Sequence, residues 1–149
     1  METVHATAIA SAGAAALLRG PSGSGKSDLA LRCLFLTLTD GAPFQLVADD
    51  RVSVEESNGD VLARAPAVLR GLLEVRGLGI QRFAQVEPVR VALIVDLVEL
   101  RRVERLPEPA WDSLLGVRLP KIALAPFEAS APLKVLLALR AASLGAWGP

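Results

Sequence analysis

Residues 20–27 read GPSGSGKS, the pattern G-x-x-x-x-G-K-S. Glycines at this spacing let consecutive backbone N–H groups turn inward around a phosphate. A helix beginning at about Lys26 aims its first N–H groups at the same anion. Lys26 then brings a point charge to the outer phosphates, and Ser27 a hydroxyl for Mg²⁺. The flanks give the pattern its weight. AAALLR before it is a short apolar run that suits a strand, and KSDLALRCLFLTLTD after it sets Leu29, Cys33 and Leu36 at helical spacing. Strand, glycine loop and helix in that order predict a phosphate-binding loop. Its members are Gly20, Pro21, Ser22, Gly23, Ser24, Gly25, Lys26 and Ser27, and its ligand is a nucleoside triphosphate such as ATP.

Outward from the loop, VHATAIA alternates and reads as a strand. The loop helix is expected to run until Gly41 and Pro43 stop it. FQLVADD reads as a strand whose last residues are Asp49 and Asp50. In phosphate-loop enzymes a carboxylate at the end of a neighbouring strand faces Mg²⁺, and a second can take a proton from an attacking hydroxyl. Successive strand residues point opposite ways, so adjacent acids can divide these tasks. A solvated turn is the alternative for the pair. RVSVEESNGDVLARA carries Asn58-Gly59, a two-residue hairpin signal. AVLRGLLEVRGLGIQRF, broken by three glycines, reads as strand and loop, and VRVALIVDLVEL as a long buried strand. RLPEPAWDS reads as a surface turn, RLPKIALAP as a short edge strand and APLKVLLALRAASLG as the last helix. Strands outnumber helices, which predicts an α/β fold with a mixed sheet.

The 149 residues suit one domain, 1–149, with a real core. Sixteen basic and sixteen acidic residues cancel, so no broad field draws nucleic acid or a membrane surface. No apolar run is long enough to span a bilayer, and METVHATAIA lacks the basic start of a signal peptide. A soluble, cytoplasmic protein is expected. The single cysteine excludes an intrachain disulfide and a multi-cysteine metal site, and the single histidine excludes a His cluster. Cys33, on the loop helix, reads as a core residue.

With the loop, VADD and LLEVRGLGI in one order, the chain resembles the HPr kinase/phosphorylase family, and more closely that family's catalytic domain. LEVRGLGI, at 73–80, is similar to the family signature. The likeness is clear from His5 to Arg105 and weaker towards the C-terminus, and it looks like a short form without the family's N-terminal domain. The resemblance implies a phosphate-loop kinase fold, strand-rich with few helices. It implies ATP- and Mg²⁺-dependent phosphorylation of a serine on HPr, the phosphocarrier of the sugar phosphotransferase system. Many members also reverse this with inorganic phosphate, releasing pyrophosphate. Full-length members are hexamers, so a homo-oligomer is a further expectation.

The resemblance also implies roles. His5 matches an active-site histidine, Lys26 the loop lysine, Ser27 the Mg²⁺-binding serine and Asp28 the acid that follows it. Asp50 matches the base towards the substrate serine, which leaves Asp49 on the Mg²⁺ side. Glu74 matches a second Mg²⁺ ligand, and Arg76 lies within the signature. Arg105, in VERLP, matches an active-site arginine through Arg and Leu alone. Read without the family, Glu74 and Arg76 equally fit an ion pair on a sheet surface, and Arg105 a solvated face in RRVER. Two departures stand out: TLTDGAPFQ is longer than the family's link to VADD, and APFEAS at 125–130 replaces the basic P-V-R-P-G-R-N segment. The second predicts weak phosphorylase activity. A nucleotide-binding regulatory protein and a small-molecule kinase are the competing readings.

Overall fold

A computed structural model describes residues 1–148. β1 (Glu2–Ser11) and β2 (Ala14–Arg19) form an antiparallel pair, and β2 leads through the glycine loop into α1 (Lys26–Leu34). β3 (Gln45–Ala48) pairs with β1, and β4 (Arg51–Ser57) and β5 (Asp60–Arg64) form the hairpin expected at Asn58-Gly59. Both turn residues have positive φ, 53° and 85°, as that two-residue turn requires. β6 (Leu72–Val75) and β7 (Gly79–Arg82) make a separate small sheet. β8 (Val89–Leu97), β9 (Ala110–Leu114), β10 (Val117–Leu124) and α2 (Ala131–Ser143) complete the described chain.

The main sheet is mixed, as the sequence predicts. Its path runs β2-β1-β4-β5-β8, and β8 then pairs with β2 in parallel, so five strands close on themselves. Side chains alternate across this closed wall. Ala6, Ala8, Ala10, Ala15, Val52, Val54, Ala63 and Val91 point to one cluster, the interior. So many alanines fit because a small closed path encloses little volume. The other face carries Ile9, Leu18, Leu93 and Val95, which bury Leu29 and Cys33 of α1 and Val135 and Leu139 of α2. The helices therefore cover one side of the strands that bear the glycine loop.

Three boundaries differ from the sequence reading. α1 ends at Leu34, well short of Gly41. The following TLTD has two β-branched threonines and an aspartate, which favour non-helical backbone, while Leu36 and Leu38 still pack on the core. Within the expected surface turn, AWDS is strand β9, where Trp111 receives the Arg118 guanidinium 4.0 Å from its ring centroid. β10 is an interior strand between β8 and β9 despite Pro120. The parallel ladder to β8 starts at Lys121, so the missing N–H of Pro120 falls before it.

Candidate active site

The glycine loop has the backbone that its sequence demands. Gly23 and Gly25 sit at φ 83° and 101°, where side chains are strained. A Cβ on Gly25 would also lie 2.9 Å from Cζ of Phe127. The Ser24 amide donates to the Pro21 carbonyl at 3.0 Å and tightens the turn. No side chain caps α1, so its first N–H groups are left to face an anion.

Lys26 is 6% exposed and donates to the carbonyls of Gly20 (2.6 Å) and Pro21 (3.0 Å). Burial pulls its pKa below the ordinary lysine value, against the opposing pull of Asp50 and Asp49. A lysine held only by loop carbonyls can exchange them for phosphate oxygens, which bind a cation more strongly.

Asp49 and Asp50 follow β3 and do not continue its pleat. Asp50 has φ 66°, a left-handed position that aspartate tolerates better than most residues. That reversal, more than strand alternation, sends the two acids to different partners. Asp49 is buried. Its Oδ1 accepts from Thr7 Oγ1 (2.9 Å) and Ser27 Oγ (2.7 Å), and its Oδ2 from the Glu74 amide (3.1 Å). One carboxylate thus joins β1, α1 and β6. Asp50 is exposed, with Oδ1 3.0 Å from Nε2 of His5.

His5, Asp50 and the loop residues Ser22, Gly23, Gly25, Lys26 and Ser27 border a cavity of about 460 Å³, lined also by Glu74, Arg76 and Phe127. The oxygen donors suit Mg²⁺: Ser27 Oγ, Asp49 hydrogen-bonded to it, and Glu74 on the wall. Among the described residues no three His, Cys, Asp or Glu side chains converge on a point. Mg²⁺ needs no such cage, since it keeps waters and phosphate oxygens and takes one or two carboxylates.

Other expected residues lie elsewhere. Arg105 is exposed on the loop between β8 and β9 and is not among the cavity's lining residues. Asp28 lines the cavity while pairing with Arg32 at 3.0 Å. Cys33 is buried, and desolvation pushes its thiol pKa up to about 12, so it is a core residue and not a nucleophile. Thr7 was not read from the sequence as a site residue, although it stands two positions from His5 on the same face of β1. Phe127 carried no sequence signal at all. Its segment is held by Arg32, which donates to the carbonyls of Pro126 and Glu128.

The family model described as HPr Serine kinase C-terminal domain matches residues 1–143. The HPr kinase/phosphorylase of Leptothrix cholodnii is 36% identical over 126 residues, covering 76% of this chain and 37% of that protein. The HPr kinase/phosphorylase of an Acidovorax species is 35% identical over 133 residues, covering 80% and 40%. The chain thus spans about two fifths of the length of these curated relatives. The solved structure of the Hpr(Ser) kinase/phosphatase from Coxiella burnetii superposes with a TM-score of 0.82 at 25% identity, covering 99% of this chain and all of that one.

Proposed function

The chain belongs to the family of HPr serine kinase C-terminal domains, and from that premise we propose that it is an ATP- and Mg²⁺-dependent kinase acting on a serine of HPr. The observation that carries this reading is one cavity bordered by the glycine loop, Lys26, Ser27 with Asp49 behind it, and the His5–Asp50 pair. The proposal takes residues 1–149 as one catalytic domain working in the cytoplasm. Among the described residues no helix is long and apolar enough to cross a membrane.

In this mechanism the loop N–H groups and the start of α1 bind the triphosphate. Lys26 moves its ammonium from the Gly20 and Pro21 carbonyls to the outer phosphate oxygens. Ser27 and Glu74, with Asp49 behind Ser27, would hold Mg²⁺, which supplies positive charge to the transferring phosphoryl group when bound. Asp50 accepts the proton of the substrate serine as its oxygen bonds to the γ-phosphorus and the bond to ADP breaks. His5 fixes the orientation of that carboxylate. Such a base typically contributes about 10²–10⁴-fold, and positioning and electrostatics supply the rest. Arg105 has no step here.

The reverse reaction is proposed to be weak. It brings inorganic phosphate against phosphoserine, and two anions need extra cations. The three cations that flank the 125–130 segment in sequence are engaged: Lys134 pairs with Glu128 at 2.9 Å, Lys121 stands near Asp96 and Asp112, and Arg118 lies over Trp111. The test is incubation with labelled ATP, Mg²⁺ and HPr, then mapping of phosphoserine. Serine-labelled HPr is expected; ATP binding with no label on HPr would overturn the kinase reading. Phosphoserine-HPr with millimolar phosphate should release pyrophosphate far more slowly than the forward reaction runs.

A further inference from the structure

We propose that Thr7 is a positioning residue for the metal side of the reaction: its hydroxyl fixes the Asp49 carboxylate that orients the Ser27 hydroxyl for Mg²⁺. The proposal rests on the phosphate-loop kinase reading above and adds a residue of β1 to it. Among the described residues Thr7 is the only polar side chain that is fully buried, at 0% exposed. It stands opposite Leu18 of β2 and two residues before Ile9, and both belong to the apolar face that the helices cover. Valine has nearly the same shape and suits a strand equally well. Packing alone therefore gives no reason for a hydroxyl here, and a buried hydroxyl is unfavourable unless it is bonded. Its bond goes to Asp49 Oδ1 at 2.9 Å.

The directions of the hydrogen bonds decide what that bond does. A carboxylate only accepts, so Thr7 and Ser27 both donate to Oδ1, and the Glu74 amide donates to Oδ2. Ser27 gives its one hydroxyl hydrogen to Asp49, which leaves its lone pairs for a cation in the cavity it lines. That arrangement holds only while the carboxylate keeps its orientation. Of the three donors, Ser27 is the group being oriented, and the Glu74 amide fixes only the other oxygen. Thr7 is the independent anchor for Oδ1. It stands on a strand of the main sheet, and its branched Cβ restricts χ1, so the hydroxyl has little freedom to swing away. Groups that orient metal ligands in this way typically carry about 10–100-fold of metal affinity or activity.

The experiment measures ATP affinity by calorimetry, in excess Mg²⁺ and again in EDTA, for the wild type, Thr7→Val and Thr7→Ser. Mg²⁺-dependent labelling of HPr and melting curves accompany it. Thr7→Val is expected to weaken ATP binding about tenfold in Mg²⁺ and less than about twofold in EDTA. The Mg²⁺ concentration for half-activity should rise with it. Thr7→Ser restores the hydroxyl and should bind closer to the wild type than to the valine variant. In an Asp49→Asn background Thr7→Val should add less than about twofold, because the carboxylate it acts on is gone. Equal losses in Mg²⁺ and EDTA, no loss in either, or a full further loss on top of Asp49→Asn would overturn the role of the hydroxyl. So would a serine variant as weak as the valine one, or a valine variant that does not fold. A wild type that binds ATP with Mg²⁺ dependence but leaves HPr unlabelled sinks the kinase reading, and the calorimetry still decides this one. ATP affinity indifferent to Mg²⁺ in the wild type would remove the metal side and this inference with it.

Discussion

Two groups of charge stand at the strand ends of this protein, and they are built in opposite ways. At the mouth of the closed strands, Arg19 donates to Asp96 (2.7 and 3.0 Å) and to Asp112 (2.8 Å), with Lys121 3.8–3.9 Å from both acids. Every cation there has a carboxylate. The hydrogen bond to Asp96 raises the Arg19 pKa, and that from Arg19 lowers the Asp112 pKa, so each reinforces the other's charge. Around the glycine loop Asp28 is paired with Arg32, but Lys26 and Asp49 are kept apart from opposite charge. Lys26 is bound only to carbonyls and its pKa is pushed down, Asp49 accepts from hydroxyls and an amide, and Asp50 meets His5. Charges that have found each other hold the fold together. Charges held short of pairing keep binding capacity for a ligand.

The largest effect expected from this contrast is in Asp50→Asn. An amide cannot take the serine proton, so transfer to HPr should fall about 10²–10⁴-fold while ATP affinity stays within about threefold. Quench-flow assays alongside binding titrations check this; equal loss of both would make Asp50 a nucleotide-binding group instead. Next comes the metal side. Asp49→Asn should weaken turnover by about tenfold or more and raise the Mg²⁺ concentration for half-activity, so that excess Mg²⁺ partly restores the rate. A variant with unchanged Mg²⁺ dependence would place Asp49 in the fold alone.

The smallest effect belongs to the paired cluster. Asp112→Asn should lower stability by about 1 kcal/mol or less, because the pair is one-third exposed and screened. Since folding lowers the Asp112 pKa, its contribution exists above the unfolded carboxylate range, near pH 4, and disappears as pH falls through the folded value. Wild-type and variant melting curves should therefore converge in acid. ATP affinity should not change, and a large change would break the distinction between the two clusters.

What could be read from the residues follows from range. The glycine loop was legible because glycine acts on its own backbone: spacing alone sets where the N–H groups point. The Asn58-Gly59 hairpin was legible for the same reason. Asp49 and Asp50 were legible as a pair, but their division of partners comes from the positive φ of Asp50, which no local pattern announces. The pairing of β2 with β8 joins segments more than 70 residues apart, and nothing in either strand encodes its neighbour. Phe127 was hidden because its position depends on a clamp from Arg32 in another element. The early end of α1 shows the same limit, since the stop signals at Gly41 and Pro43 were real but the helix had already yielded to TLTD.

The alternation along β1 has a consequence for how this gene can change. His5 and Thr7 face Asp50 and Asp49, while Ala6, Ala8 and Ala10 fill the narrow interior. Function and packing are therefore interleaved residue by residue on one strand. Loss or gain of a single codon there would turn the histidine and threonine inward among alanines and valines, and present alanine to the acids. Substitutions can be tried one face at a time, but insertions and deletions cannot. Length variation in such a lineage should be absent from this strand and concentrated in the connections around it.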